Sequence, residues 1–132
     1  MASFRTTFIA LSAALSAITQ TAGATSMSNT TMDATISDAR VARCGIHISH
    51  GKMLKLTPFV EFAQAFDGVI TVEVTNRSSA GSNTTHQENA FKAGHAPQSH
   101  IWIDRGSSLL MAMDVKDDRG KTVCDMRETV VL

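Results

Sequence analysis

The sequence has no excess of either charge and no apolar run long enough to cross a membrane. Its 132 residues carry 12 lysines and arginines against 12 aspartates and glutamates. Nucleic acids and anionic membrane surfaces bind proteins with a basic excess, so we expect neither as a general partner. The apolar stretch near the N-terminus is shorter than the ~20 residues of a transmembrane helix, so no membrane span is expected.

The motifs of common enzyme and metal sites are also missing. There is no Cys-x-x-Cys, no Gly-x-Ser-x-Gly and no phosphate-binding loop. The seven methionines are soft ligands that suit copper, but Met111 and Met113 share a strand face with apolar residues, which favours a role in the core. We therefore expect no enzymatic activity, no cofactor and no metal site. The five histidines lack the spacing of zinc ligands: His47, His50, His86, His95 and His100.

The first two dozen residues have the three-part pattern of a secretory signal peptide. Arg5 supplies a positive charge, residues 8–18 form a short apolar core, and Ala22-Gly23-Ala24 offers small residues for cleavage. This pattern predicts export of the chain and removal of residues 1–24 near Ala24. The alternative interpretation is an N-terminal membrane anchor or an amphipathic helix. The remaining chain has the length of a single domain.

Only two cysteines occur, Cys44 and Cys124. In an exported chain, an even number of cysteines indicates a disulfide rather than a metal site or a catalytic thiol. In the chain-entropy model, a bond that closes the long loop from Cys44 to Cys124 stabilises the domain by ~4 kcal/mol. Two free buried thiols are the alternative, since unpaired cysteine is often buried.

Residues 25–39 are rich in Ser, Thr, Asn and Met, and they are predicted to form a flexible leader. Residues 40–132 contain seven short β-like runs separated by turn signals, and no long helical period. This spacing is typical of an antiparallel β-sandwich. The Asp67-Gly68 pair predicts a hairpin between the runs on either side of it. Pro58 predicts a strand that is bent or lies at an edge.

Residues 76–89 form a long polar segment with few charges. The segment reads Asn-Arg-Ser-Ser-Ala-Gly-Ser-Asn-Thr-Thr-His-Gln-Glu-Asn. Its composition fits an ordinary solvated loop followed by an edge strand. The functional alternative is a strand that recognises another polar β segment.

The stretch from Arg77 to Asn89 resembles the curli-assembly inhibitors, the periplasmic anti-amyloid proteins called CsgC in enteric bacteria and CsgH in alphaproteobacteria. Enteric members have a similar succession of Arg, Ser-Ser-Gly and Thr-x-Gln-Glu, and the layout of residues 109–123 is also similar. The likeness extends over about residues 44–129, and the alphaproteobacterial branch is the closer match. It implies an immunoglobulin-like sandwich of about seven strands for residues 40–132. Ile46 stands where enteric members have the second cysteine of a Cys-x-Cys pair, so we expect the Cys44–Cys124 bridge to be structural.

The resemblance also implies a function: a periplasmic, chaperone-like inhibitor that prevents premature fibre assembly by the curli major subunit before secretion. A polar strand on a rigid sandwich can meet a growing amyloid edge transiently. Arg77, His86 and Glu88 would add electrostatic recognition, which speeds encounter more than it tightens binding. The residues expected to contact the partner are Arg77, Ser79, Asn83, Thr85, His86, Gln87 and Glu88.

Two other functions fit parts of the sequence. One is an immunoglobulin-like structural or adhesive module of the bacterial cell envelope. The other is a thiol-disulfide or metal-handling protein, which would need an exposed reactive cysteine or clustered soft ligands. Both cysteines lie instead on apolar faces of their runs. We expect a monomer, because the charge is near neutral and no long apolar edge occurs.

Overall fold

The computed structural model describes residues 29–106 and 108–132, so the predicted signal peptide lies outside the described residues. The regular structure of the described part is entirely β. None of the described residues belongs to a helix that is long and apolar enough to cross a membrane. The strands are β1 Asn29–Asp33, β2 Thr35–Ile36, β3 Val41–His50, β4 Met53–Phe62, β5 Gly68–Ser78, β6 Gly81–Phe91, β7 Ile101–Asp104, β8 Ser108–Asp117 and β9 Thr122–Val131.

The strands form two antiparallel sheets, in the orders β1-β3-β4-β7 and β2-β9-β8-β5-β6. Without the two short N-terminal strands, the sheets are β3-β4-β7 and β9-β8-β5-β6. These correspond to strands A, B and E of an immunoglobulin-like sandwich facing strands G, F, C and C′. The predicted all-β, immunoglobulin-like sandwich is therefore confirmed, with two more strands than the expected seven.

The core lies between the two sheets and is filled by alternate residues of the long strands. In β8, the side chains that point inward are buried, as the period of two predicts. Met111 and Met113 are among them, so these methionines fill the core rather than form an exposed ligand pair. Burial of each such side chain contributes roughly 1.5–3 kcal/mol. The opposite sheet contributes the buried residues Cys44, Ile46, Ile48, Leu54, Leu56, Ile101 and Ile103.

The predicted disulfide between Cys44 and Cys124 is present. Cys44 lies in β3 and Cys124 in β9, so the bond joins the two sheets through the core. Both side chains are buried, and the described residues contain no free cysteine. The alternative of two unpaired thiols is therefore wrong.

Part of the predicted flexible leader is paired into the sheets. β1 runs antiparallel to β3, with Thr31 opposite His47, and β2 pairs with β9 at Thr35 and Ile36. The prediction missed these strands because almost all of their side chains are exposed, so no apolar alternation marks them. Backbone pairing holds them in place, and Gly45 leaves room for the Met32 carbonyl that a Cβ would meet.

The predicted hairpin across Asp67-Gly68 is wrong. β4 and β5 lie in different sheets, and β5 pairs instead with β6 and β8. Gly68 does not form a turn. Its missing side chain allows β8 and Phe91 to approach β5, since a Cβ there would meet the Lys116 carbonyl oxygen and the Phe91 ring. Beside it, where the chain crosses between sheets, three rings pack against one another with centroids 5.1–5.3 Å apart: Phe62, Phe66 and Phe91.

Pro58 lies inside β4, opposite Ile46 of β3. The pairing of β4 with β7 covers only Met53 to Leu56. Among the described strands, β4 therefore has a neighbour on one side only at Pro58. This agrees with the predicted edge position, because a proline cannot donate to a second strand.

Candidate functional site

The polar segment predicted to recognise a partner forms the hairpin of β5 and β6. The two strands pair without a register shift from Gly68 opposite Phe91 to Ser78 opposite Gly81. β6 is the last strand of the five-stranded sheet. In residues 29–106 and 108–132, no strand pairs with its other side. We call this unpaired side of Gly81–Phe91 the β6 edge.

The two strands of the hairpin have different relations to the core. In β5, Ile70, Val72 and Val74 are buried and anchor the strand. In β6, only Phe91 is a buried apolar residue, and most other side chains are exposed. β6 is therefore held mainly by its backbone bonds to β5 rather than by packing. Its polar composition keeps an unpaired strand soluble, which is how natural sheets protect their edges.

The backbone of β6 alternates between groups that bond β5 and groups that face solvent. The turn has two residues, Ser79 and Ala80, so Ser78 and Gly81 form the hydrogen-bonded pair that closes the hairpin. Every second residue from Gly81 then directs its N–H and C=O toward β5. The intervening residues direct both groups outward, to the β6 edge: Ser82, Thr84, His86, Glu88 and Ala90.

The predicted contact residues lie on both faces of this hairpin. Thr85 and Gln87 are opposite the buried Val74 and Val72, so their side chains lie on the inner face of the sheet. Asn83 shares that face by alternation. The remaining predicted residues divide between the turn and the outer face: Ser79 in the turn, and Arg77, His86 and Glu88 on the outer face.

The inner-face residues border the open side of the sandwich. The Ser99 hydroxyl donates to Gln87 Oε1 at 3.1 Å and accepts from Asn89 Nδ2 at 3.3 Å. Asn83 and Thr85 line a shallow cleft together with Trp102 of β7. Trp102 is the only tryptophan in the chain, and 60% of it is exposed. An extended segment laid along the β6 edge would therefore lie close to the cleft that Trp102 borders.

Two contacts join outer-face side chains of β6 to those of β5. The Nδ1 atom of His86 lies 3.8 Å from the carboxylate of Glu73, its neighbour on β5. The hydroxyls of Thr75 and Thr84 are 3.1 Å apart. Both His86 and Glu73 are more than half exposed. The His86 imidazole and the Glu73 carboxylate are therefore accessible to a partner that approaches the edge.

A cluster of ionic groups at the end of the sandwich was not predicted from the sequence. The Arg40 guanidinium bridges two carboxylates, Asp38 at 3.0 Å and Asp117 at 2.9 Å, and Lys121 also reaches Asp38 at 3.2 Å. Arg40 covers the Phe66 ring, with 4.7 Å to its centroid. Arg40 and Asp117 are 77 residues apart, so no local motif indicates their contact.

We call this cluster of Asp38, Arg40, Asp117 and Lys121 the brace, because its ion pairs join segments that are far apart in the sequence. Asp117 Oδ1 accepts the N–H groups of Arg119 and Lys121 at 2.9 Å, which shapes the turn between β8 and β9 that Gly120 completes at φ 81°. Side-chain hydrogen bonds from Arg40 hold the pKa of both Asp38 and Asp117 below the ordinary range. Among the described residues, no three His, Cys, Asp or Glu side chains are placed to hold a metal ion.

The brace makes the stability of the domain acid-sensitive. The folded state depresses the pKa of Asp38 and Asp117 below the ordinary carboxyl pKa of ~4. Their ionised side chains therefore stabilise the fold above pH ~4. This stabilisation is lost as the pH falls toward the lower pKa values of the folded state. We expect Arg40→Met to lower the melting temperature at pH 7 by several degrees and to flatten its decline between about pH 4 and 2.

Thermal unfolding followed by circular dichroism across this pH range measures both effects. Arg43→Met is the matched control, because Arg43 also covers a phenylalanine ring and pairs with Asp33 at 3.1 Å but is half exposed. Exposed pairs contribute little, so the control should stay near wild type. Equal losses from both substitutions would contradict the brace.

Comparison with known proteins gives no match, whether to a family model, to a curated protein or to a solved structure.

Proposed function

We propose that the protein is an exported, non-enzymatic inhibitor of amyloid formation that acts in the periplasm and prevents curli subunits from assembling into fibres before secretion. The observation that carries the proposal is the β6 edge, a regular and polar strand with outward-facing backbone groups at every second residue. The resemblance of Arg77 to Asn89 to the curli-assembly inhibitors supports the choice of client.

Binding would occur by strand addition to the β6 edge. An extended client segment exchanges backbone hydrogen bonds with the outward-facing groups of residues such as Thr84 and Glu88. Amyloid grows by the same kind of pairing, with amide side chains stacked in ladders. The β6 edge therefore offers a nascent fibre the same pattern of backbone hydrogen bonds on a folded domain.

Side chains on the two faces would give the complex its preferences. On the inner face, Asn83, Thr85 and Gln87 offer amides and hydroxyls to a polar client strand. On the outer face, His86 and Glu88 offer one group that can be cationic and one anionic group. These exposed charges would affect the rate of encounter more than the affinity.

A client strand docked in this way could not continue the fibre on the inhibitor side. In cross-β structure, identical strands stack in register in flat sheets. Beyond β6 lies β5, which is already paired with β8 and has a different sequence. The sheet of a sandwich is also twisted. Growth therefore stops at the docked strand while it remains bound.

The substitution Thr84→Pro tests the edge directly. It removes an outward N–H and adds a ring at the edge, where proline is tolerated because no bond to β5 is lost. We expect the variant to remain folded and to need at least roughly tenfold more protein for the same delay in curli-subunit fibre formation, measured by thioflavin-T fluorescence. Thr84→Val is the control, because it also loses the Thr75 hydroxyl contact but keeps the N–H.

Emission from Trp102 gives a second readout of the same edge. Trp102 lies beside Asn83 and Thr85, so docking of a soluble client peptide should shift its fluorescence in wild type and in Thr84→Val, but not in Thr84→Pro. Full inhibition by folded Thr84→Pro would exclude the β6 edge as the binding surface. Absence of any delay by wild type at equimolar ratio would exclude the inhibitor function itself.

A further inference from the structure

The β6 edge is complementary to itself in both backbone and charge. We propose that two copies of the protein pair through this edge, antiparallel and related by a two-fold axis at Gln87. The two five-stranded sheets then join into one continuous sheet of about ten strands. Such a pairing is isologous and closed, because each copy uses its single β6 edge.

The backbone pattern restricts which registers are possible. In an antiparallel pair, hydrogen-bonded positions must oppose one another, and on the β6 edge these are the even-numbered residues from Ser82 to Ala90. A two-fold axis at Gln87 places His86 opposite Glu88 of the second copy and Thr84 opposite Ala90. All of these positions direct their N–H and C=O outward, so the ladder has no mismatched bond.

The charges then distinguish this register from its neighbours. An axis at Glu88 would place two carboxylates opposite each other, and an axis at His86 would oppose two imidazoles, which repel when both are protonated. Like charges directly opposite destabilise a sheet, whereas opposite charges stabilise it. With the axis at Gln87, the His86–Glu88 contact occurs twice by symmetry. Side chains near the axis on the other face are also polar: Thr85, Gln87 and Asn89.

Other groups close to these charges do not oppose the pairing. Within each copy, Glu73 of β5 lies 3.8 Å from His86 Nδ1, so the imidazole would lie between two carboxylates in the dimer. Glu88 is opposite Thr71, which is uncharged. Each histidine therefore has an acidic neighbour on both sides, and each Glu88 has a histidine on one side.

Sedimentation equilibrium of the wild-type protein without any client tests the dimer, so its result does not depend on the proposed inhibitor function. We expect a reversible monomer–dimer equilibrium rather than the monomer that the sequence alone predicted. His86→Glu places carboxylates opposite one another at two symmetric positions and should weaken dimerisation by about tenfold. Glu88→Lys should also weaken it. The double substitution His86→Glu/Glu88→Lys restores opposite charges and should recover at least the wild-type dissociation constant.

Recovery by the double substitution separates edge pairing from damage to the fold, since both positions are exposed. Thr84→Pro should abolish the dimer while leaving the monomer folded. A wild-type protein that is monomeric at millimolar concentration, or single and double substitutions with additive effects, would overturn the proposal. If fibre inhibition and dimerisation both depend on this edge, inhibition per molecule should fall as the protein concentration rises above the dissociation constant of the dimer.

Discussion

Reduction of the Cys44–Cys124 disulfide is expected to lower the free energy of unfolding by about 4 kcal/mol. The bond spans 80 residues of sequence, so in the chain-entropy model it removes a large part of the conformational freedom of the unfolded chain. The native domain also loses the disulfide that joins its two described sheets through the core, where both sulfur-bearing side chains are buried. For a domain with a typical stability of about 5–15 kcal/mol, this loss is a large fraction.

Urea unfolding of the oxidised and the reduced wild-type protein measures the effect without changing any side chain. The double substitution Cys44→Ala/Cys124→Ala provides the second arm, and it should be at least as unstable because it also leaves a cavity. A loss below about 1 kcal/mol in both arms would contradict the stabilising role.

Reduction of the disulfide should leave fibre inhibition unchanged, although it lowers the free energy of unfolding. β9, which carries Cys124, is separated from β6 by β8 and β5 in the sheet. At a temperature where the reduced domain remains folded, the β6 edge keeps its backbone pattern. Fibre inhibition by the reduced protein should then equal that of the oxidised protein.

The elements that sequence patterning predicts correctly are those whose alternate residues enter the core. β5 and β8 are the clearest cases, because Val72 and Met113 lie in strict alternation with exposed or half-exposed neighbours. The disulfide was predicted on other grounds, an even number of cysteines in a chain with an export signal, and both cysteines lie on the apolar faces of such strands. β1 and β2 escaped prediction because backbone bonds rather than buried side chains place them.

The candidate site was only partly predictable. Its polar composition indicated an edge strand, but the direction of each backbone group depends on the register with β5, which the turn at Ser79 and Ala80 sets. The sequence therefore indicated Thr85 and Gln87 as contact residues without revealing that their N–H groups are already used within the sheet. Thr84 is the informative position, although nothing in the composition distinguishes it from Thr85.

The Asp67-Gly68 pair shows that a sequence pattern typical of a turn can instead mark a close approach of two strands. A glycine after an aspartate usually indicates a turn that needs a positive φ. Gly68 has no positive φ in the structure and begins β5, close to the Lys116 carbonyl oxygen. The missing side chain allows β8 and Phe91 to approach, which no local pattern can reveal.

Substitution of Gly68 by alanine should therefore destabilise the domain by about 3 kcal/mol, near the upper end for an overpacked buried site. The added Cβ would meet backbone on one side and the Phe91 ring on the other, and the Lys116 carbonyl cannot rotate away as a flexible side chain could. Urea unfolding measures the loss.

Gly120→Ala is the matched control for this effect. Gly120 has φ 81° and an added Cβ there would meet nothing within 4 Å, so its substitution tests backbone conformation alone and should cost about 1 kcal/mol. A smaller loss for Gly68 than for Gly120 would contradict the close approach. We expect the larger loss of stability for Gly68→Ala because the backbone of β8 is paired on both sides, with β5 and β9. It therefore cannot move away from an added Cβ without disturbing one of these pairings.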